Sequence, residues 1–247
     1  MIEKLRLDQL LVDRGLVESH TKAQALIMAG LVYTGEQKLI SAGAKLAVDI
    51  ALTLRGQDHP WVSRGGLKLD HGLKYFGFDA TGRTCIDVGA STGGFTDVLL
   101  TNGAAKVYAV DVGYGQLAHR LRTDDRVIVL ERTNARTLDA ATIADHVGAV
   151  VCDASFIGLR TVLPAAMALT ASNAWLIALI KPQFEVGKDR VGKKGVVREP
   201  ALHEEVCATI SEWLAAQPGW SVTGIEKSPI TGPEGNVEFL IGARRDA

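Results

Sequence analysis

Cys85-Ile86-Asp87-Val88-Gly89-Ala90-Ser91-Thr92-Gly93-Gly94-Phe95-Thr96-Asp97 passes from an apolar stretch into a run of small residues and then toward a helix-like pattern. It reads as a buried strand, a glycine-rich turn and a helix, the place where open α/β sheets bind ligands. The glycines follow G-x-x-x-G-G. A dinucleotide fingerprint needs G-x-G-x-x-G so that a pyrophosphate can rest on the helix N-terminus, and Asp87 and Asp97 would repel that group. Asp87 suits a cationic or zwitterionic ligand better. Outward from this turn, from Ser63 onward, apolar strands alternate with helical stretches. The strands are expected at residues 84–88, 106–111, 127–130, 149–153, 175–180, 221–225 and 237–241, the signature of a parallel sheet covered by helices on both faces. The expected fold is therefore α/β, with a Rossmann-like seven-stranded sheet flanked by helices over residues 63–247.

Asp111 ends the second strand, where a carboxylate can accept hydrogen bonds from two ribose hydroxyls. An acid before the glycines, small residues in the turn and an acid ending the next strand together point to S-adenosylmethionine in preference to a nicotinamide dinucleotide. The residues expected around it are Asp87, Gly89, Ser91, Thr92, Gly93, Gly94, Phe95, Asp111 and Asp153, with Asn134 reading the adenine edge.

Residues 5–54 read as a smaller α+β unit. A first helix carries Leu7, Leu10 and Leu11 and stops at Gly15; a second is capped by Ser19, carries Ala23, Leu26 and Ile27, and ends at Gly30. Short strands follow at 31–34 and 38–40, and the alternation of Leu46, Val48, Ile50, Leu52 and Leu54 predicts another. The expected division is residues 1–55, a linker at 56–62, and 63–247.

The 247 residues include 27 Lys plus Arg against 28 Asp plus Glu, a formal net charge of −1, which excludes a basic nucleic-acid coat. At 47% hydrophobic and 22% charged, the chain is an ordinary globular composition. No apolar run approaches the ~18 to 20 residues that span a bilayer, and the charged start is unlike a signal peptide, so a cytoplasmic protein with no membrane partner is expected. Cys85, Cys152 and Cys207 lack any C-x-x-C spacing, so neither a disulfide framework nor a metal site is expected. A monomer is the expected state.

The fourth strand ends in Cys152-Asp153-Ala154-Ser155-Phe156, where doubly wound methyltransferases keep their chemistry. The Asp/Asn-Pro-Pro-aromatic turn of amino-group methyltransferases, whose backbone carbonyl accepts from the target amine, is missing. The fifth strand instead ends in Lys181-Pro182-Gln183-Phe184-Glu185, which brings a lysine to the sheet edge beside Asp153. Lys68, and Glu238 in the last strand, complete a set of charged residues; a charge such as Glu238 is also what one face of an edge strand often carries.

These segments, with Lys194-Gly195-Val196-Val197, resemble the TlyA family, 2′-O-methyltransferases of ribosomal RNA with an FtsJ-like catalytic domain. The resemblance spans essentially the whole chain. It implies that residues 1–55 are a small RNA-binding domain, and that a Lys-Asp-Lys-Glu tetrad at the target 2′-hydroxyl falls on Lys68, Asp153, Lys181 and Glu238. Lys181 would act either as a neutral base or as a charged stabiliser of the developing alkoxide. His20 stands where the family commonly has arginine, and Tyr33-Thr34-Gly35 replaces its usual Val-Asn-Gly.

RNA contacts are expected from Arg6, Arg14 and Lys22 in the first unit, from Arg64, and from Lys188, Arg190, Lys193 and Lys194 in the basic, glycine-interrupted segment 181–198. The implied partner is ribosomal RNA or a ribosomal subunit, with a cytidine as target. Two other classes compete: an RNA-binding ribosome assembly factor with a vestigial cofactor pocket, and a membrane-active haemolysin.

Overall fold

The computed structural model describes residues 4–17, 19–54 and 59–246, apart from the side chains of Lys188 and Pro233. The chain divides into two compact units, Met1–Pro60 and Trp61–Ala247. In the first, β1 (Lys4–Arg6) leads into α1 (Leu7–Asp13) and α2 (His20–Met28), followed by β2 (Val32–Thr34), β3 (Gln37–Lys38), β4 (Lys45–Ala47) and β5 (Thr53–Leu54). Ser19 caps α2, its hydroxyl accepting from the Lys22 amide at 3.2 Å. Leu7, Leu11, Ala23, Ile27 and Val32 form the small core. The strand expected from the alternation over 46–54 is broken into β4 and β5. Arg14 takes the Val48 and Ile50 carbonyls as hydrogen-bond acceptors, which bends the chain between the two strands.

Trp61 and Val62, expected in the linker, belong to the packed second unit; residues 56–58 of that linker lie outside the described residues. Trp61 is buried against Gly66, and the Val62 amide donates to Asp97 at 2.8 Å. α3 (Gly65–Phe76) then precedes β6 (Thr84–Val88), α4 (Gly94–Thr101), β7 (Lys106–Val110), α5 (His119–Arg122) and β8 (Val127–Leu130). After these come β9 (Val147–Cys152), α6 (Leu159–Ala168), β10 (Thr170–Ile180), α7 (Pro182–Glu185), α8 (Pro200–Ala215), β11 (Trp220–Lys227) and β12 (Phe239–Arg245). The sheet order is β11-β12-β10-β9-β6-β7-β8. β12 runs antiparallel to both neighbours and the other pairs are parallel. β11 is thus the edge and the last strand is interior, so the edge-strand reading of Glu238 is corrected. Glu238 lies one residue before β12 and is 1% exposed.

The alternation of strand side chains sorts the core into two layers. Cys85 of β6 faces α3 and α4, joined by Leu69, Leu73, Phe95, Val98 and Leu99. Ile86 and Val88 face α6 and α8, with Leu163, Val206 and Ile210. α3 crosses β10 and β12 through a glycine contact: a Cβ on Gly242 would lie 2.7–2.9 Å from three atoms of the Phe76 ring. Gly242→Ala should therefore overpack this layer and destabilise the chain by about 1–3 kcal/mol. Thermal unfolding checks it, with partial recovery expected in the Gly242→Ala/Phe76→Leu pair; an unchanged midpoint for Gly242→Ala would show that the layer yields freely.

Candidate active site

Four charged side chains meet at the carboxyl edge of the sheet. Lys68 reaches there from the first turn of α3, Asp153 from the residue after β9, Lys181 from the residue after β10, and Glu238 from the approach to β12. Lys68 Nζ lies 2.6 Å from Glu238 Oε2 and 3.5 Å from Asp153 Oδ2. Lys181 Nζ lies 2.6 Å from Asp153 Oδ1. Both lysines and Glu238 are buried, and Asp153 is partly so. The structure brings together all four residues of the expected tetrad, with Asp153 between the two ammonium groups. Pro182, in the first turn of α7, ends the strand and fixes the point from which Lys181 extends.

Beside the tetrad is a cavity of about 400 Å³, lined among others by Gly89, Ser91, Asp111, Asn134, Asp153 and Ser155. Asp111 holds its rim: the carboxylate accepts from the Ser91 amide at 2.8 Å and the Gly113 amide at 2.7 Å. Gly89 has φ +82°, and a Cβ there would lie 2.8 Å from the Ala154 Cα, so the turn and the end of β9 can approach this closely only with glycine. The Asn134 side chain accepts from the Arg136 amide at 3.1 Å, capping a short 3₁₀ turn while lining the cavity.

The other residues expected at the cofactor do not line this cavity. Asp87 projects beneath α4 and is fully buried, its Oδ2 accepting from the Thr96 amide at 2.9 Å and hydroxyl at 2.7 Å, its Oδ1 buried without a partner. Phe95 is in the core, Gly93 backs onto Leu117 and Leu121, Gly94 onto Ser63 and Gly66, and the Thr92 carbonyl accepts from Ala118. These shape the turn from behind. Val112, Gly113, Gln116, Thr133, Ser155 and Phe156 also line the cavity. They come from loops after β7, β8 and β9, where no periodic pattern marks them.

The FtsJ-like methyltransferase family matches residues 61–245, the whole unit that carries tetrad and cavity. The chain belongs to this family. It is 46% identical over 245 residues, 99% of this chain and 91% of the relative, to the 16S/23S rRNA (cytidine-2′-O)-methyltransferase TlyA of Mycobacterium tuberculosis. It is 49% identical over 243 residues to YqxC of Bacillus subtilis, covering 97% and 85% of the two chains. A solved structure from Streptococcus thermophilus, named for a hemolysin, covers 100% of this chain and 90% of its own at 40% identity and a TM-score of 0.77. A solved structure from Listeria monocytogenes, named for an S-adenosylmethionine-dependent methyltransferase, shares the fold at 15% identity and a TM-score of 0.51. The protein is thus an FtsJ-like methyltransferase with the seven-stranded sheet of that fold.

In this methyltransferase several residues expected to meet RNA are engaged internally. Arg6 pairs with Asp8 at 2.7 Å, Arg14 holds the 48–50 turn, and Arg190 makes a two-pronged pair with Glu205 at 2.6 Å on each arm. A planar guanidinium matched to a carboxylate or to two carbonyls has spent two of its five N–H donors and is held in one orientation, so it is less free to turn toward phosphate. Arg64, Lys193 and Lys194 are exposed, Lys22 is partly buried, and the Lys188 side chain lies outside the described residues.

Burial pushes the Asp87 carboxyl up to about 7, against the downward pull of the Thr96 hydrogen bonds and with a further upward push from Asp153. An unfolded aspartate titrates near ~3.9. Between those values the folded chain keeps a proton that the unfolded chain releases, so stability should fall as pH rises from about 4 to 7, by up to about 1.4 kcal/mol per pH unit. Asp87→Asn should lose that slope. Melting both proteins across pH 4 to 8 tests this, and identical pH profiles would show that Asp87 does not titrate in this range.

Proposed function

We propose that this chain transfers a methyl group from S-adenosylmethionine to the 2′-hydroxyl of a cytidine in ribosomal RNA, in the cytoplasm. The observation that carries the reading is the convergence of Lys68 and Lys181 on Asp153 at the cavity. The Asp153 carbonyl accepts from Lys181 Nζ at 3.0 Å, so it is engaged where amine methyltransferases would offer it to their substrate. What the site presents is N–H donors, which suit a hydroxyl oxygen. The target nucleoside follows the relatives: TlyA of Mycobacterium tuberculosis, and TlyA of Campylobacter jejuni, a 23S rRNA (cytidine-2′-O)-methyltransferase 38% identical over 188 residues.

The residues present fit the cofactor. The cavity has the size of a small-molecule pocket, and the Asp111 carboxylate has more acceptor sites than its two amide bonds occupy, leaving capacity for ribose hydroxyls. The unpartnered Asp87 Oδ1 puts an acceptor beneath the turn, suited to a positively charged ligand. When bound, the cofactor supplies a methyl group on a positively charged sulfur, which already favours its departure. The chain's own task is to hold the ribose oxygen in line and relieve its proton. Lys181 is the group nearest that task, Asp153 keeps it aimed, and the Lys68–Glu238 pair fixes Asp153 from the other side. Phe156, 90% exposed with φ +66° and resting on Phe184 at 5.2 Å, offers a face on which an unstacked base can lie. Lys193, Lys194 and Arg64 supply phosphate contacts, and the first unit supplies docking.

Labelled cofactor mixed with purified ribosomal subunits tests the reading directly: the label should appear in a cytidine ribose, and its absence from both subunits would refute the proposal. Lys181→Arg keeps the charge but cannot deprotonate in the working range. A base role predicts a loss of at least ~10² in single-turnover rate with cofactor binding retained; near-normal turnover would leave electrostatic stabilisation alone. Docking by the first unit makes a separate prediction. Positioning supplies ~7 to 11 kcal/mol of such barriers, so a chain of residues 59–247 should bind cofactor yet fail on subunits. Full methylation by that fragment would make the first unit dispensable.

A further inference from the structure

Lys181 has more partners than the tetrad gives it. Its Nζ lies 2.6 Å from Asp153 Oδ1, donates to the Asp153 carbonyl at 3.0 Å, and donates to Ser155 Oγ at 2.9 Å. An ammonium has three donors and no acceptor; two of them go to the Asp153 carbonyl and Ser155 Oγ, while Asp153 Oδ1 is held by an ion-pair contact without a hydrogen bond. Three oxygens within 3.0 Å leave little room around the ammonium, so a ribose oxygen comes to Lys181 by taking the place of one of them.

The three are unequal. The Asp153 carboxylate is shared with Lys68, and separating it from Lys181 would leave a buried charge without its partner. The Asp153 carbonyl belongs to backbone held at the sheet, the Asp153 amide donating to the Val88 carbonyl at 3.1 Å. Ser155 is neutral, exposed and part of the cavity wall, and its hydroxyl turns about a single bond. It is the acceptor that can be exchanged at least cost.

We propose that Ser155 is a substrate-positioning residue of the methyl transfer, an inference that rests on the reading of ribose 2′-hydroxyl as the target. The 2′-hydroxyl enters between Lys181 Nζ and Ser155 Oγ, replacing one hydrogen bond with two. Lys181 donates to the ribose oxygen, and the ribose hydroxyl donates to Ser155 Oγ, which has just lost the hydrogen from Lys181. Every donor and acceptor stays matched. The hydroxyl's hydrogen is turned toward Ser155, which leaves an oxygen lone pair free for the methyl group; as the oxygen–methyl bond forms and the methyl–sulfur bond breaks, that proton passes to Ser155 Oγ while the exposed serine hydroxyl gives its own hydrogen to solvent water, and Lys181 stays charged. Before substrate arrives, the same serine keeps the lysine from taking another rotamer. The backbone supports this placement: Phe156, the next residue, sits in the left-handed region that a bulky side chain adopts at a cost, and its ring against Phe184 holds the turn there.

The test compares Ser155→Ala and Ser155→Thr with the unchanged chain at saturating subunit and cofactor. Ser155→Ala should lower the single-turnover rate by about 10- to 100-fold while leaving the half-saturating subunit concentration unchanged; Ser155→Thr, which keeps the hydroxyl, should restore most of the rate. With ¹⁵N-lysine labelling, the Lys181 ammonium hydrogens should exchange slowly with water in the unchanged chain and faster in Ser155→Ala. An undiminished rate for Ser155→Ala in preparations where the unchanged chain is active would overturn the role of Ser155 alone, as would identical ammonium exchange in the two. An unchanged chain inert toward ribosomal RNA would overturn the reading of function first, and this role with it.

Discussion

The Asp153 carboxylate stands between two buried ammonium groups, and the rest of the second unit is built to make that possible. Lys68 and Lys181 lie 3.5 and 2.6 Å from its two oxygens, and Glu238 takes the far side of Lys68 at 2.6 Å. Taking an ion out of water costs several kcal/mol even after the protein relaxes, so charges at this depth persist only where each finds a counter-charge. The four residues come from four separate segments of the chain. Their pairing needs β9 beside β10, β10 beside β12, and α3 laid across that pair, which is the arrangement observed. A strand order that separated β9 from β10 would strand a lysine and an aspartate in the interior. Removing one partner of such a pair costs about 3–5 kcal/mol, so the charges specify the topology more than they stabilise it.

A second consequence concerns Asp87. The paired charges of the tetrad balance, two positive and two negative, while Asp87 adds a carboxyl beneath the glycine turn with only Thr96 to satisfy it. The proximity of Asp153 helps push the Asp87 carboxyl up. The turn therefore rests on an acid that burial and the neighbouring carboxylates favour in its protonated form more than an exposed aspartate.

Much of this was legible in the residues. Strand runs, the glycine turn after β6 and the Lys-Pro step after β10 are local signals with local physics; β6, β7 and β8 lie within a residue of where the sequence puts them, whereas β10 starts five residues earlier than expected and β12 ends four residues later. Glu238 was different. A single carboxylate at the start of an apolar strand carries no sign of whether that strand is an edge or an interior member, and only the antiparallel insertion of β12 between β11 and β10 decides it. Arg6, Arg14 and Arg190 look alike in sequence to any arginine that meets phosphate. Their intramolecular acceptors, Asp8, the 48–50 carbonyls and Glu205, become visible only once the chain is folded. The cavity wall contributed by Val112, Gln116 and Thr133 was hidden for a related reason: loop residues at the ends of different strands converge in space without sharing a period.

The internal engagement of those arginines bears on how RNA could be held. The basic and acidic residues of the first unit balance, and two of its arginines are already paired within it. Bulk attraction to phosphate is therefore a weak source of affinity there, and any recognition by that unit has to come from shape and a few directed contacts. In the second unit, by contrast, Lys193 and Lys194 are exposed in the segment that follows Lys181 in sequence, and Lys194 adopts a left-handed backbone between two glycines at 192 and 195. The same segment is tied back toward the tetrad by Asn236, whose side chain accepts from the Val197 amide at 3.2 Å and donates to the Gly195 carbonyl at 3.1 Å, two residues before Glu238. A phosphate captured by these lysines would thus pull on backbone that is hydrogen-bonded to the approach of β12. In that arrangement the exposed lysines and the approach to Glu238 are joined by the two hydrogen bonds of Asn236, which gives the 192–197 segment a physical connection to the charged site.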